Sequence, residues 1–167
     1  MKVLLSAVCL VTLSSTAGLS QSPPDFSGTW NMDVSRSEAA AQGTPLGPEV
    51  VTIRQTPGEV RIETTREGRS EVVRYLPAPD KYAAAAERVG AFRWDGAKLV
   101  TTLITDINKS AVSLQEVRSL NPAGTEMTVE VSLVVEHGYQ TGGSNILRSQ
   151  NASNASRGTN VFVKQKP

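Results

Sequence analysis

The sequence predicts an all-β domain, an antiparallel up-and-down β-barrel of about eight to ten strands with one short N-terminal helix after the first strand. Three observations carry this. In MTVEVSLVVE, Met127, Val129, Val131, Leu133 and Val135 alternate with Thr128, Glu130, Ser132, Val134 and Glu136, which marks a strand with one buried face. Several shorter runs repeat the alternation, and TPGE, REGR, WDGA and NPAG punctuate them, as hairpin turns do. A meander this long exposes two edges unless it closes on itself. A β-sandwich is the runner-up, and the regular hairpin spacing favours the barrel.

DFSGTWNMD reads as the first strand. In SRSEAAAQG, Ser35 and Glu38 have capping-box spacing, an alanine run follows, and Gly43 is a stop signal, so one or two helical turns are expected there. TPLGP connects to a period-two region. Val51 and Ile53 share one face of VVTIRQ; Val60, Ile62 and Thr64 share one face of EVRIETT; SEVVRYL is a third run. PAPDKYAAAAERVG is open to two readings. Asp80 can cap a helix closed by Gly90, or the segment can be a loop entering a strand. AFRWDGAKLVTTLITD is a hairpin turning at Asp95-Gly96, with Phe92 and Trp94 on one face of the first arm and Leu99, Thr101 and Leu103 on one face of the second. SAVSLQEVRSL precedes the NPAG turn. The Gly-, Ser- and Asn-rich stretch after Glu136 is expected to be a loop with a short strand at Ile146-Leu147, and VFVKQK to be the last strand.

The 167-residue chain suggests one domain behind a processing signal. Lys2, an apolar run from Val3 to Leu13, and the small residues of SSTAGLSQ form the three parts of a secretory signal peptide. The apolar run is shorter than the roughly 20 residues of a membrane span. Residues 1–20 are therefore expected to be the signal, 21–25 a leader and 26–167 the barrel, with cleavage after Ser20 or Ala17. The expected destination is secreted or periplasmic, without membrane attachment after cleavage. Cys9, the sole cysteine, lies in the signal, so disulfides and thiol chemistry are excluded from the mature chain. Net charge falls from +1 to zero once Lys2 leaves. Without a basic block, nucleic acid is not an expected partner.

Little catalytic chemistry is visible. His137 is the sole histidine and sits in the Gly-rich stretch, without the partners a triad needs. No metal-ligand spacing or phosphate-cradling loop appears, so no metal or cofactor is expected. Asp25, Asp33, Asp80, Asp95 and Asp106 fall at strand ends or turns, where Asp serves local hydrogen bonding. Asn108, Asn151 and Asn154 head glycosylation sequons, which matter only in a eukaryotic secretory route.

Gly28-Thr29-Trp30 on the first strand resembles the G-x-W signature of lipocalin and calycin barrels. FSGTWNMDVSRS (26–37), FRWDGAKLV (92–100) and SLNPAGTEMTVE (119–130) are similar to phrases of small secreted bacterial proteins called lipocalin-like. The resemblance implies that Trp30 plugs one end of the barrel, that Gly28 lets another segment approach, and that a cation near the last strand stacks on the indole. Lys164, Lys166 and Arg157 are candidates for that cation.

The expected function is binding of a small apolar or aromatic molecule without catalysis. Ile53, Ile62, Tyr75, Phe92, Trp94, Leu103 and Val131 are the candidate ligand-binding residues. One alternative is a barrel-mouth enzyme using His137 with Tyr82, Tyr139 or an Asp. Another is a structural or interaction module with a filled barrel. Oligomeric state is open.

Overall fold

The computed structural model describes residues 22–40, 45–77, 88–107, 110–136 and 155–166. The expected signal, most of the 80–90 segment, the strand at Ile146-Leu147 and the sequons lie outside them. The strands are β1 (Gly28–Met32), β2 (Glu49–Gln55), β3 (Val60–Arg66), β4 (Arg69–Leu76), β5 (Val89–Asp95), β6 (Lys98–Ile107), β7 (Ser110–Leu120), β8 (Glu126–Glu136) and β9 (Ala155–Lys164). They follow one another in sequence order round a closed barrel, β9 pairing back onto β1.

The expectation of antiparallel pairing throughout is corrected. If every strand opposes both neighbours, directions alternate around the ring and the strand number must be even. This barrel has nine, so one pair must run parallel. That pair is β4–β5, with Tyr75 opposite Gly90. Parallel neighbours need a connection of about a dozen residues, and residues 77–88 supply it. Gly90 lies inside β5. A Cβ there would come within 2.6 Å of both the Tyr75 ring and the Thr102 carbonyl oxygen. The bare glycine leaves the tyrosine room to lie across the neighbouring strand.

The short helix expected over residues 35–43 is also corrected. The described residues hold no α-helix, only a single turn of 3-10 helix at Val34–Arg36. Its cap is Asp33, whose Oδ1 accepts from Ser35 N at 3.1 Å and Ser35 Oγ at 2.6 Å. Glu38 closes no capping box. Its backbone exchanges two hydrogen bonds with Thr159 on β9, at 2.7 and 3.0 Å. Ser37 Oγ donates to Asp33 O and accepts from Val161 N. The alanine run's helix propensity is small per residue, and pairing with another strand overrides it. Gly158 makes this approach possible, because a Cβ there would lie 2.4 Å from Ala40 N and 2.5 Å from Glu38 O.

The alternation sorts side chains as period two requires. Trp30, Val51, Ile53, Val60, Ile62, Tyr75, Phe92, Leu99, Leu103, Met127, Val129 and Phe162 are buried in one core, together with Phe26 from the leader side. Arg54, Arg61, Arg93 and Glu130 on the opposite phase are exposed.

The Gly158 contact is with backbone, which cannot swing aside. Gly158→Ala should lower stability by about 1–3 kcal/mol. Gly58, in an open turn with nothing near its Cβ position, should accept alanine within about 0.5 kcal/mol. Urea denaturation of the two variants checks the contrast.

Candidate functional site

The end of the barrel nearest the chain's entry is filled. Trp30 is completely buried, and its Nε1 donates to the Phe26 carbonyl at 2.9 Å. Lys164 is its cross-strand partner on β9 and places Nζ 5.0 Å from the indole centroid. Of the cation candidates, Lys164 thus occupies the position, in an interaction worth about 0.5–2 kcal/mol. Gly28 has φ +135°, and a Cβ on it would meet Lys164 Cε at 2.7 Å. The glycine two residues before the tryptophan is the gap through which the lysine stem reaches the ring.

Above this packing lies a cavity of about 250 Å³. Its apolar wall includes Val73, Leu103, Met127, Val129 and Phe162. A second space of about 470 Å³ lies toward residues 45–48 and shares Glu49, Arg66, Leu114, Glu116 and Asn160 with the first. The shared residues form a neck between lumen and mouth.

Of the candidate ligand-binding residues, Ile62, Tyr75 and Leu103 line the inner cavity, and Val131 lines the mouth space. Ile53 and Phe92 belong to the packed core. Trp94 is half-buried; its ring lies 6.1 Å from Phe26 and 6.4 Å from Phe92, and it borders a separate depression with Asp25 and Pro57. His137, Tyr82 and Tyr139 lie outside the described residues, as does Asp80. A side-chain hydrogen bond with Ser27, with the bond from Ser27 N at 2.9 Å as the second cause, holds the Asp25 carboxyl below the usual range.

The polar part of the lumen was not anticipated. On β7 the inward phase runs Val112, Leu114, Glu116, Arg118, Leu120. Arg118 is only 4% exposed. Its Nη1 donates to Thr101 Oγ1 at 2.7 Å and its Nη2 to Glu116 Oε2 at 2.6 Å, while its buried Nε has no partner among the described residues. Two charges in phase with three apolar residues were the available signal, since inward position on a strand follows parity and not polarity. Two further ion pairs stand at the cavity wall. Arg66 Nε reaches the buried Glu49 at 2.5 Å, and Arg88 pairs with Glu71.

Tyr75 completes the cluster. Burial, with the Glu116 charge as a second cause, pushes its phenol up to about 12, against the smaller opposing effects of Arg118 and a hydrogen bond with Thr101. At neutral pH the phenol therefore keeps its proton.

Searches with protein-family models and among curated protein sequences return no match.

Tyr75 gives an alkaline prediction. Up to pH 10 the phenol is protonated in both folded and unfolded chains and adds no slope. Between 10 and about 12 only the unfolded chain releases the proton, so stability falls by about 1.4 kcal/mol per pH unit. Above that window the fall ends. Urea titrations at successive pH values should show this limb in the native sequence, and Tyr75→Phe should remove it.

Proposed function

We propose that the chain is a lipocalin-like carrier, exported by its N-terminal signal, which holds a small apolar or aromatic molecule in its lumen and performs no chemistry on it. The observation that carries this reading is the cavity of about 250 Å³ enclosed by inward faces of the barrel strands. Small-molecule sites are concave and join apolar walls to placed polar groups, and this lumen sets an aliphatic and aromatic wall beside the Arg118 cluster and two further ion pairs. An apolar cavity of about 150 Å³ accommodates benzene, so this space suits a bicyclic aromatic or a short alkyl chain.

Each described carboxylate of the wall, Glu49, Glu71 and Glu116, is paired with an arginine, which directs it to the guanidinium and away from hydrogen-bond reach of a bound molecule's proton, where a general base must stand. The near-zero charge of the mature chain supports neither nucleic acid nor an anionic membrane as partner.

Native mass spectrometry of the protein purified from its source should reveal a co-purifying small molecule in one-to-one ratio. Val129 is buried and lines the cavity; Val129→Phe should fill part of the space at a cost of about 1–3 kcal/mol. The variant should remain folded by circular dichroism and lose the bound mass. Retention of the same molecule by the filled variant would place the site elsewhere.

A further inference from the structure

We propose that the bound molecule is bipartite, two apolar groups joined through an uncharged carbonyl link such as a secondary amide, and that the Asn160 side chain holds the link at the neck of the lumen. This rests on the carrier reading and names the ligand class for the same site.

The shape of the space comes first. The inner cavity has an apolar wall that includes Ile62, Val73, Leu103, Met127, Val129 and Phe162. The mouth space has its own, from Pro45, Leu46, Pro48, Val131 and Leu133. The residues that border both are Glu49, Arg66, Leu114, Glu116 and Asn160, and only Leu114 among them is apolar. A molecule that runs through both spaces meets apolar, polar and apolar surface in turn. A plain hydrocarbon crossing the neck would take water from polar groups and return no hydrogen bond.

Asn160 is the neck residue able to supply that bond. Its partner across β8 is Val129, and Phe162 follows two residues later in the same phase. Both are buried lumen residues, so strand parity aims Asn160 into the barrel. Among the described residues its amide makes no hydrogen bond. Nor is the amide sealed off, because Arg118 Nε is the one described side-chain polar atom that is both buried and unpartnered. The amide therefore stands open to a bound molecule, with Nδ2 to donate to a carbonyl and Oδ1 to accept. Thr64 Oγ1 is also without a partner among the described residues, but Thr64 borders the inner cavity only.

The other polar groups of the neck are engaged with arginines. Glu49 pairs with Arg66, and Glu116 with Arg118, so these four charges sum to zero. A charge carried by the ligand would go uncompensated there, where Glu49 and Arg118 are already buried. A carbonyl link takes the bond from Asn160 without that cost.

The test uses three molecules of matched length with the purified protein: N-butylbenzamide, hexylbenzene and N-butylbenzylamine, which is an ammonium at neutral pH. Each is measured by equilibrium dialysis. Asn160→Leu should weaken the amide by about five- to tenfold while leaving hexylbenzene as tight or tighter, and Asn160→Ala should reproduce the loss for the amide. Leu46→Ser, on the mouth side, should weaken N-butylbenzamide by about fivefold. The native chain should bind the ammonium at least about tenfold more weakly than the amide. Equal effects of both Asn160 variants on amide and hydrocarbon would overturn the role of Asn160. No effect of Leu46→Ser would overturn the bipartite shape, and the ammonium as the tightest ligand would overturn the neutral link. Saturable binding of hexylbenzene alone would keep the carrier reading and defeat this inference. If none of the three binds saturably, the carrier reading fails and the inference with it.

Discussion

The lumen exists because the last strand returns to the first. At that seam Trp30 on β1 faces Lys164 on β9, with the ammonium 5.0 Å from the indole centroid. Three residues make the arrangement mutually dependent. The indole fills the base and bonds back to Phe26. The lysine lies across Gly28 to reach it, and Gly28 must be bare both for φ +135° and for the lysine stem. Without the seam, β1 and β9 would both be open edges, and the inward faces of nine strands would enclose nothing.

Closure with an odd number of strands has a structural cost that is met in one place. The parallel β4–β5 pair is short, with only Arg74, Tyr75 and Leu76 of β4 in register with β5. Yet it orients the lumen's phenol, since Tyr75 lies against Gly90. The backbone of Arg88, just before β5, accepts from Arg74 N at 3.0 Å, and its side chain pairs with Glu71. The irregular joint of the barrel therefore contributes directly to the cavity wall. The segment before Pro45 makes a second join, where Glu38 and Thr159 exchange backbone bonds over Gly158. Both joins use a glycine to let chain or ring approach a strand closely.

Much of the barrel was readable from residues because strand parity is a local property. Met127 and Val129, Ile53 and Ile62, and Leu99 and Leu103 were assigned to inward faces by alternation alone, and all are buried. What failed was non-local. SRSEAAAQG carries a helix-like cap and alanine run, but Glu38 takes its backbone partner from Thr159, more than a hundred residues away. The parallel pair follows from counting strands around a closed ring, which no single segment reveals. At the candidate site, Glu116 and Arg118 were overlooked because charge normally signals solvent; on β7 their parity put them inside. Trp94 shows the converse, an aromatic of inward parity that lies near the filled end and away from the cavity.

Amide hydrogen exchange at the seam tests closure most directly. Asp33 N donates to Val161 O and Gln165 N to Thr29 O, each at 2.8 Å, so these two amides report on β9 meeting β1. A closed barrel predicts that both exchange as slowly as amides in the middle of β7 and β8, opening only with global unfolding. Rapid exchange at Asp33 and Gln165, while β7 and β8 stay protected, would mean that the two strands are not held together and that the lumen has no wall at its seam.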